Sequence, residues 1–232
     1  MAPRIDGEVH RFAEHGLYNG LFLLRDEESG TFWDHMTGEA VYGPLVGSAL
    51  EVSNLMQTTV AQVLGRDSEA LVAISGQALR TDQQMTTSSL LARIGGRLSR
   101  MFRETVQEED NRRPTMDLGM GIWDGDEARY YPYDRITANG NAVLDEIAGR
   151  QLVVYLDPSA YALAAAYVDT DGIRWEEKTL RFSDGSYIED GVFHDPSGER
   201  APIERPRQVF TRWYGFSLTF PETEIYGDAD GR

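Results

Sequence analysis

Gly16 to Leu50 reads GLYNGLFLLRDEESGTFWDHMTGEAVYGPLVGSAL. Its short apolar and alternating stretches are broken at Asp26 to Gly30 (DEESG), at Thr37-Gly38 and at Gly43-Pro44. Turn-forming residues at that density leave room for strands but not for helices, so the stretch predicts a β-meander. Leu17 to Leu24 predicts a core strand, and Gly30 to His35 a second one after a tight turn. Beyond the meander, Leu55 to Leu64 predicts a short helix and Ala70 to Ile74 a buried strand.

The pattern changes at Thr86 to Val106, where Leu90, Leu91, Ile94, Leu98, Met101, Phe102 and Val106 recur at helical spacing. This predicts one long amphipathic helix over about residues 87–107, with Arg93, Arg97, Arg100 and Arg103 on its polar side. Such an Arg face is commonly paired with the protein's own carboxylates, and it could also meet an anionic partner. Glu108 to Pro114 (EEDNRRP) is charged, poor in apolar residues and closed by proline, which suits a linker. Strands are predicted again at Leu118 to Trp123, Arg150 to Leu156, Tyr161 to Val168, Arg174 to Phe182 and Ser186 to Phe193. Turns at Asp124-Gly125, Asp157-Pro158, Asp171-Gly172 and Asp184-Gly185 separate them and favour hairpins over crossover helices. Gln208 to Phe220 is aromatic on nearly every turn and fits either a buried helix or a strand.

The chain has 232 residues with 41% hydrophobic and 26% charged content, the composition of a folded domain. Acids outnumber bases 38 to 22 for a net charge of −16, which repels phosphate backbones and argues against nucleic-acid binding. Lys178 is the sole lysine, so the charge balance fits either a high-salt cytoplasm or a genome that writes Arg for Lys. Cysteine is absent, which removes disulfides, thiolate nucleophiles and Cys-ligated metals. No apolar run reaches the length of a membrane span, and Met1 to Gly16 lacks the features of a leader peptide, so a cytoplasmic location is expected.

No phosphate-binding loop, zinc-helix motif, calcium loop or nucleophile elbow occurs. Gly119-Met120-Gly121 lacks a third glycine and reads as a glycine pair inside a strand. His10, His15, His35 and His194 are spaced poorly for a shared helix or strand face, and neither a metal nor a cofactor is expected. Carboxylate pairs cannot be singled out among 38 acids, so Asp145-Glu146 and Asp26-Glu27-Glu28 read as surface or turn charge. Tyr130, Tyr131, Tyr133, Trp213 and Tyr214 could line a pocket, though core packing is the commoner use of such residues.

The wording of Gly16 to Leu50 resembles the recurring segment of the family known as domain of unknown function 3179. The matching elements are Tyr18-Asn19, Asp26, Gly30, Trp33, Thr37-Gly38-Glu39-Ala40 and Gly43-Pro44-Leu45 with Gly47. Phe210 to Gly227 resembles the family's closing segment, and Thr58 to Ser75 looks like a degenerate copy of it, with Val60, Ser68 and Ala70 in the places of Trp213, Pro221 and Thr223. An internal repeat follows from that likeness. Ala128 to Tyr167 resembles the other half of the unit. Many relatives carry Cys-Pro after the valine-rich strand, where this chain reads Leu156-Asp157-Pro158-Ser159-Ala160, and His35 stands where relatives commonly have Gln. The resemblance therefore carries no redox or metal role to this chain, and it implies no activity.

The expected fold is α+β, mainly β, with two related antiparallel β-rich halves and the one long helix. The halves span 1–107 and 115–228 around a linker at 108–114, or form one compact domain. The favoured function is a non-catalytic binding or assembly module, with a homo-oligomer or protein partner through the aromatic tail or the long helix. The alternative is an enzyme or metal-dependent protein whose site gathers Asn19, Asp26, Trp33, Asp34 and His35.

Overall fold

The computed structural model describes residues 4–18, 20–71, 105–106 and 109–228. They group into two compact units, one within Met1–Val52 and Glu69–Glu109, the other within Ser53–Ser68 and Asp110–Arg232. The stretch around Leu55 to Leu64, expected in the first half, thus belongs with the second unit. The helix expected over 87–107 lies almost wholly outside the described residues. Among those described, no helix is long and apolar enough to cross a membrane.

In the first unit β1 (Arg4–Ile5) and β2 (Glu8–Val9) form a small hairpin. The strands β3 (Phe12–Tyr18), β4 (Leu21–Asp26), β5 (Phe32–Asp34) and β6 (Ala40–Tyr42) make the antiparallel meander that the turn residues require. The single strand expected over Leu17 to Leu24 is instead a hairpin, because Tyr18 pairs with Leu21 and Gly20 takes φ 80°. Its core holds Trp33, Ala40 and Leu50, with Ile5, Phe12, Leu24 and Leu45 packed around them.

The second unit opens with α1 (Val60–Arg66), later than the helix expected over Leu55 to Leu64. The reason is a capping box: the Gln62 amide N–H donates to Thr59 Oγ1 at 3.2 Å, and Gln62 Oε1 accepts from the Thr59 N–H at 2.9 Å. Of the strand expected at Ala70 to Ile74, Ala70 and Leu71 are described and neither is in a strand. The chain then gives β7 (Leu118–Asp124), β8 (Glu127–Pro132), α2 (Tyr133–Ala138), β9 (Ala142–Ile147), β10 (Arg150–Asp157) and β11 (Ala162–Tyr167). It continues through β12 (Ile173–Glu176), β13 (Thr179–Phe182), β14 (Tyr187–Glu189), β15 (Val192–His194), β16 (Arg207–Arg212), α3 (Trp213–Thr219) and β17 (Glu224–Ile225).

Three sheets result, ordered β16-β7-β8-β17, β11-β10-β9 and β12-β13-β14-β15. The middle sheet is buried on both faces. Leu152, Val154 and Leu156 of β10 join Met120, Ile122 and Tyr131 in one core, while Val153 and Tyr155 join Leu180, Phe182 and Ile188 in the other. A strand with no solvent face carries apolar residues at consecutive positions, which is why Leu152 to Leu156 reads LVVYL. The strands expected as Arg174 to Phe182 and Ser186 to Phe193 are each two, folded at Glu177 (φ 54°) and at Asp190-Gly191 (φ 49° and 69°). Gln208 to Phe220, expected as helix or strand, is both in succession.

Gly119 and Gly121 are the strand pair expected. Aromatic rings occupy the space that their side chains would need: a Cβ on Gly121 would lie 2.2 Å from the Phe216 ring, and one on Gly119 2.5 Å from the Tyr131 carbonyl oxygen. Phe216 of α3 and the Tyr130 ring lie in that space, and Trp213 of α3 stands edge-on to Tyr130 at 5.0 Å. Gly121→Ala should therefore cost about 1–3 kcal/mol or more, read as a lower midpoint in urea unfolding; an unchanged midpoint would contradict this packing.

Candidate functional site

Of the five site candidates in the first unit, Asn19 lies outside the described residues. The other four do not converge on one point. His35 approaches the Phe22 carbonyl oxygen through Nδ1 at 3.0 Å, whereas Asp26 ends β4 four residues further on, roughly 13 Å along a strand. Asp34 Oδ1 accepts the Met36 and Thr37 N–H groups at 2.6 and 2.9 Å and so closes its own turn.

Asp26 and Trp33 do meet. The Trp33 indole N–H donates to Asp26 Oδ2 at 2.9 Å, and both residues are fully buried. Ser29 adds its N–H to Oδ1 and its hydroxyl to Oδ2, each at 2.6 Å. His10 Nδ1 lies 3.3 Å from Oδ1. Burial alone would raise the pKa of Asp26, but the hydrogen bonds from Ser29, Trp33 and His10 outweigh it and hold the carboxyl below the ordinary carboxylate range.

Two residues that the sequence reading left aside border this centre. His10 Nδ1 also lies 3.9 Å from Glu28 Oε2, and one ligand atom each from His10, Asp26 and Glu28 lies within 4.8 Å of the others. Glu28 is also engaged by Arg11, through the backbone N–H at 2.9 Å and Nε at 3.3 Å. A cavity of about 320 Å³ adjoins, lined by Asp6, Glu8, His10, Glu28, Ser29 and Leu45 among others.

The second unit repeats the device at the end of β10, in the place where the resemblance led one to look for Cys-Pro. Asp157 is 6% exposed, and its Oδ1 accepts the Ser159 and Ala160 N–H groups at 2.8 and 2.9 Å. Gln62, reaching from α1, donates through Nε2 to Oδ2 at 2.8 Å. A cavity of about 340 Å³ lies beside this pair, between α1, the loop after β10 and the β14–β15 turn. Arg66, Ser159, Glu189, Asp190 and His194 face it, and Ala61 and Val192 contribute to its apolar lining.

Other polar groups of the second unit are structural. Asp110 to Pro114, expected as a linker, is tied to that unit: the Trp213 indole donates to the Asp110 carbonyl oxygen at 2.9 Å, and Arg112 to the carbonyl oxygens of Thr223 and Pro221. Tyr130, Tyr131 and Trp213 are core residues, fully buried. Asp145, read as surface charge, accepts from Tyr131 and Arg129 at 2.9 and 2.8 Å.

Fold and site together define an acidic, mainly antiparallel β protein in which two strand-ending aspartates, Asp26 and Asp157, are buried in turns. The chain belongs to the family described as protein of unknown function (DUF3179), whose model matches residues 2–223. No curated protein and no solved structure matches it.

Asp26→Asn should destabilise the protein by about 1.5–3 kcal/mol at neutral pH, since it removes a charged acceptor from several buried donors. A carboxyl whose folded pKa is depressed stabilises fully above its unfolded pKa and loses that contribution as pH falls toward the folded one. The gap between variant and parent in urea melts should accordingly shrink below about pH 4. A gap constant down to strongly acid pH would contradict the assignment.

Proposed function

We propose that this protein is a non-catalytic binding module and that its ligand site is the cavity of the second unit. The supporting observation is the character of that cavity: about 340 Å³, within the range of small-molecule sites, and walled by hydrogen-bonding groups from three separate parts of the chain. Its floor is rigid, because Asp157 and Gln62 are held by each other and by backbone N–H groups. The hydroxyl of Ser159 donates to Asp190 Oδ1 at 2.8 Å and His194 Nδ1 approaches the Gly198 carbonyl oxygen at 3.2 Å. Serine and histidine thus engage different partners, an arrangement that favours holding a ligand over attacking one.

The internal repeat inferred from the sequence supports a binding scaffold. The matched positions Val60 and Trp213 each begin a seven-residue helix preceded by an extended residue. Native mass spectrometry of the full chain with a mixture of small polar metabolites should show one adduct, released chemically unchanged, and Ala61→Trp, which fills the cavity from α1, should abolish it. An adduct that survives Ala61→Trp, or a ligand released as product, would overturn the reading.

A second reading, metal dependence of the first unit, is favoured by one observation: an imidazole and two carboxylates at His10, Asp26 and Glu28 lie close enough to share a first-row divalent ion. On this reading protein purified without an affinity tag contains about one equivalent of metal, a chelator lowers its melting temperature, and His10→Ala removes both effects. Metal-free protein that is indifferent to chelator would retire it.

A further inference from the structure

The second-unit cavity holds more charge than its own contacts use. Arg66 Nη2 donates to the Asp190 carbonyl oxygen at 2.9 Å, but Nε, shut off from solvent, has no hydrogen-bond partner among the described residues. Nor does the guanidinium form an ion pair among those residues.

The carboxylates across the cavity show the converse. Glu189 accepts the Thr179 hydroxyl at 3.1 Å and Asp190 accepts that of Ser159. Neither is joined to a cation among the described residues, although Arg66 is beside them. What keeps the charges apart is geometry. Arg66 is fastened at its backbone by Arg200, which donates to its carbonyl oxygen at 2.9 Å, and at its tip by the Asp190 carbonyl oxygen. Gly191, at φ 69°, leaves the passage for that tip, since a Cβ there would stand 2.3 Å from Nη2. His194 is stacked on Tyr187 at 4.6 Å and 4°, so its ring is fixed as well.

A cation and two exposed anions that form no ion pair with one another, set around one small cavity, are complementary to a molecule carrying both signs. We infer that this cavity takes a small amphoteric ligand with the charge pattern of a free α-amino acid, its carboxylate toward Arg66 and its ammonium toward Glu189 and Asp190. The space corresponds to about eleven waters, enough for an amino acid with its side chain toward Ala61 and Val192. This inference rests on the cavity being the ligand site.

The experiment is calorimetric titration of the full chain with single free amino acids, then with the best binder's amide, its N-acetyl derivative and, separately, glucose. One free amino acid should bind with unit stoichiometry. Removing its carboxylate charge as the amide, or its ammonium charge by acetylation, should weaken binding at least about tenfold. Glu189→Gln should weaken the free amino acid and its amide, which both keep the ammonium, while leaving the N-acetyl form unchanged, and Arg66→Gln should erase the preference for the free carboxylate. The charge-edited ligands need no variant protein, so misfolding cannot produce their result. Binding of glucose but of no amino acid would overturn the amphoteric assignment and leave the cavity reading standing. If neither glucose nor any amino acid binds, while a metabolite adduct is still lost in Ala61→Trp, the charge-pattern inference fails alone; if that adduct is also missing, both fail.

Discussion

The second unit depends on β10 being covered on both faces. Five consecutive apolar residues, Leu152 to Leu156, satisfy two cores at once, and the neighbouring sheets exist to cover them. Asp157 follows directly and inherits that burial, so its carboxylate must find donors within the protein. The backbone of the next turn supplies two and Gln62 a third, which draws α1 over the end of the strand. The cavity is the space left where a helix, a loop and a hairpin turn meet above a strand that had nowhere else to end. β11 is similarly constrained: its outer edge is met by the buried side chain of Gln208, which both accepts from and donates to the Ala165 backbone.

Asp26 and Asp157 are two versions of one device, a buried carboxylate at a strand end that accepts the N–H groups of the turn behind it. Their surroundings differ in what remains unused. Around Asp26 every carboxylate oxygen has a partner, and Trp33 is locked into the core as a result. Around Asp157 the carboxylate is equally occupied, but in the next ring of groups Arg66, Glu189 and Asp190 form no ion pair among the described residues. Binding capacity therefore lies one step out from the buried aspartate.

Local patterns were legible in the sequence where a turn or a period carried them. The meander, the strand glycines at 119 and 121 and the Asp-Gly turns follow from short-range chemistry. The hairpin at Gly20 was hidden because the apolar residues on either side of Asn19-Gly20 read as one run, although that dipeptide is a strong hairpin signal. Had it been recognised, the register of the Tyr18–Leu21 pair would have set His10 opposite Ser29; a bulge between Glu14 and Leu17, which the dipeptide does not announce, shifts the strand by one residue to the Phe12–Asp26 pair. The turn at Glu177-Lys178 needed other information, since a positive φ at a glutamate leaves no mark in composition, whereas α1's late start was readable from the capping box of Thr59 and Gln62. The site itself was not. Thr59 to Arg66, Asp157 to Ser159 and Glu189 to His194 are joined only by the folded path of three sheets, and no spacing rule connects them.

The most direct test of the claim that the second-unit cavity is the binding site is a map of amide chemical shifts in the full chain as a mixture of small polar metabolites is added. Changes should concentrate in α1, at Ser159-Ala160 and in the β14–β15 turn, with the first unit silent. Changes centred on the first unit, or an unperturbed spectrum, would contradict it.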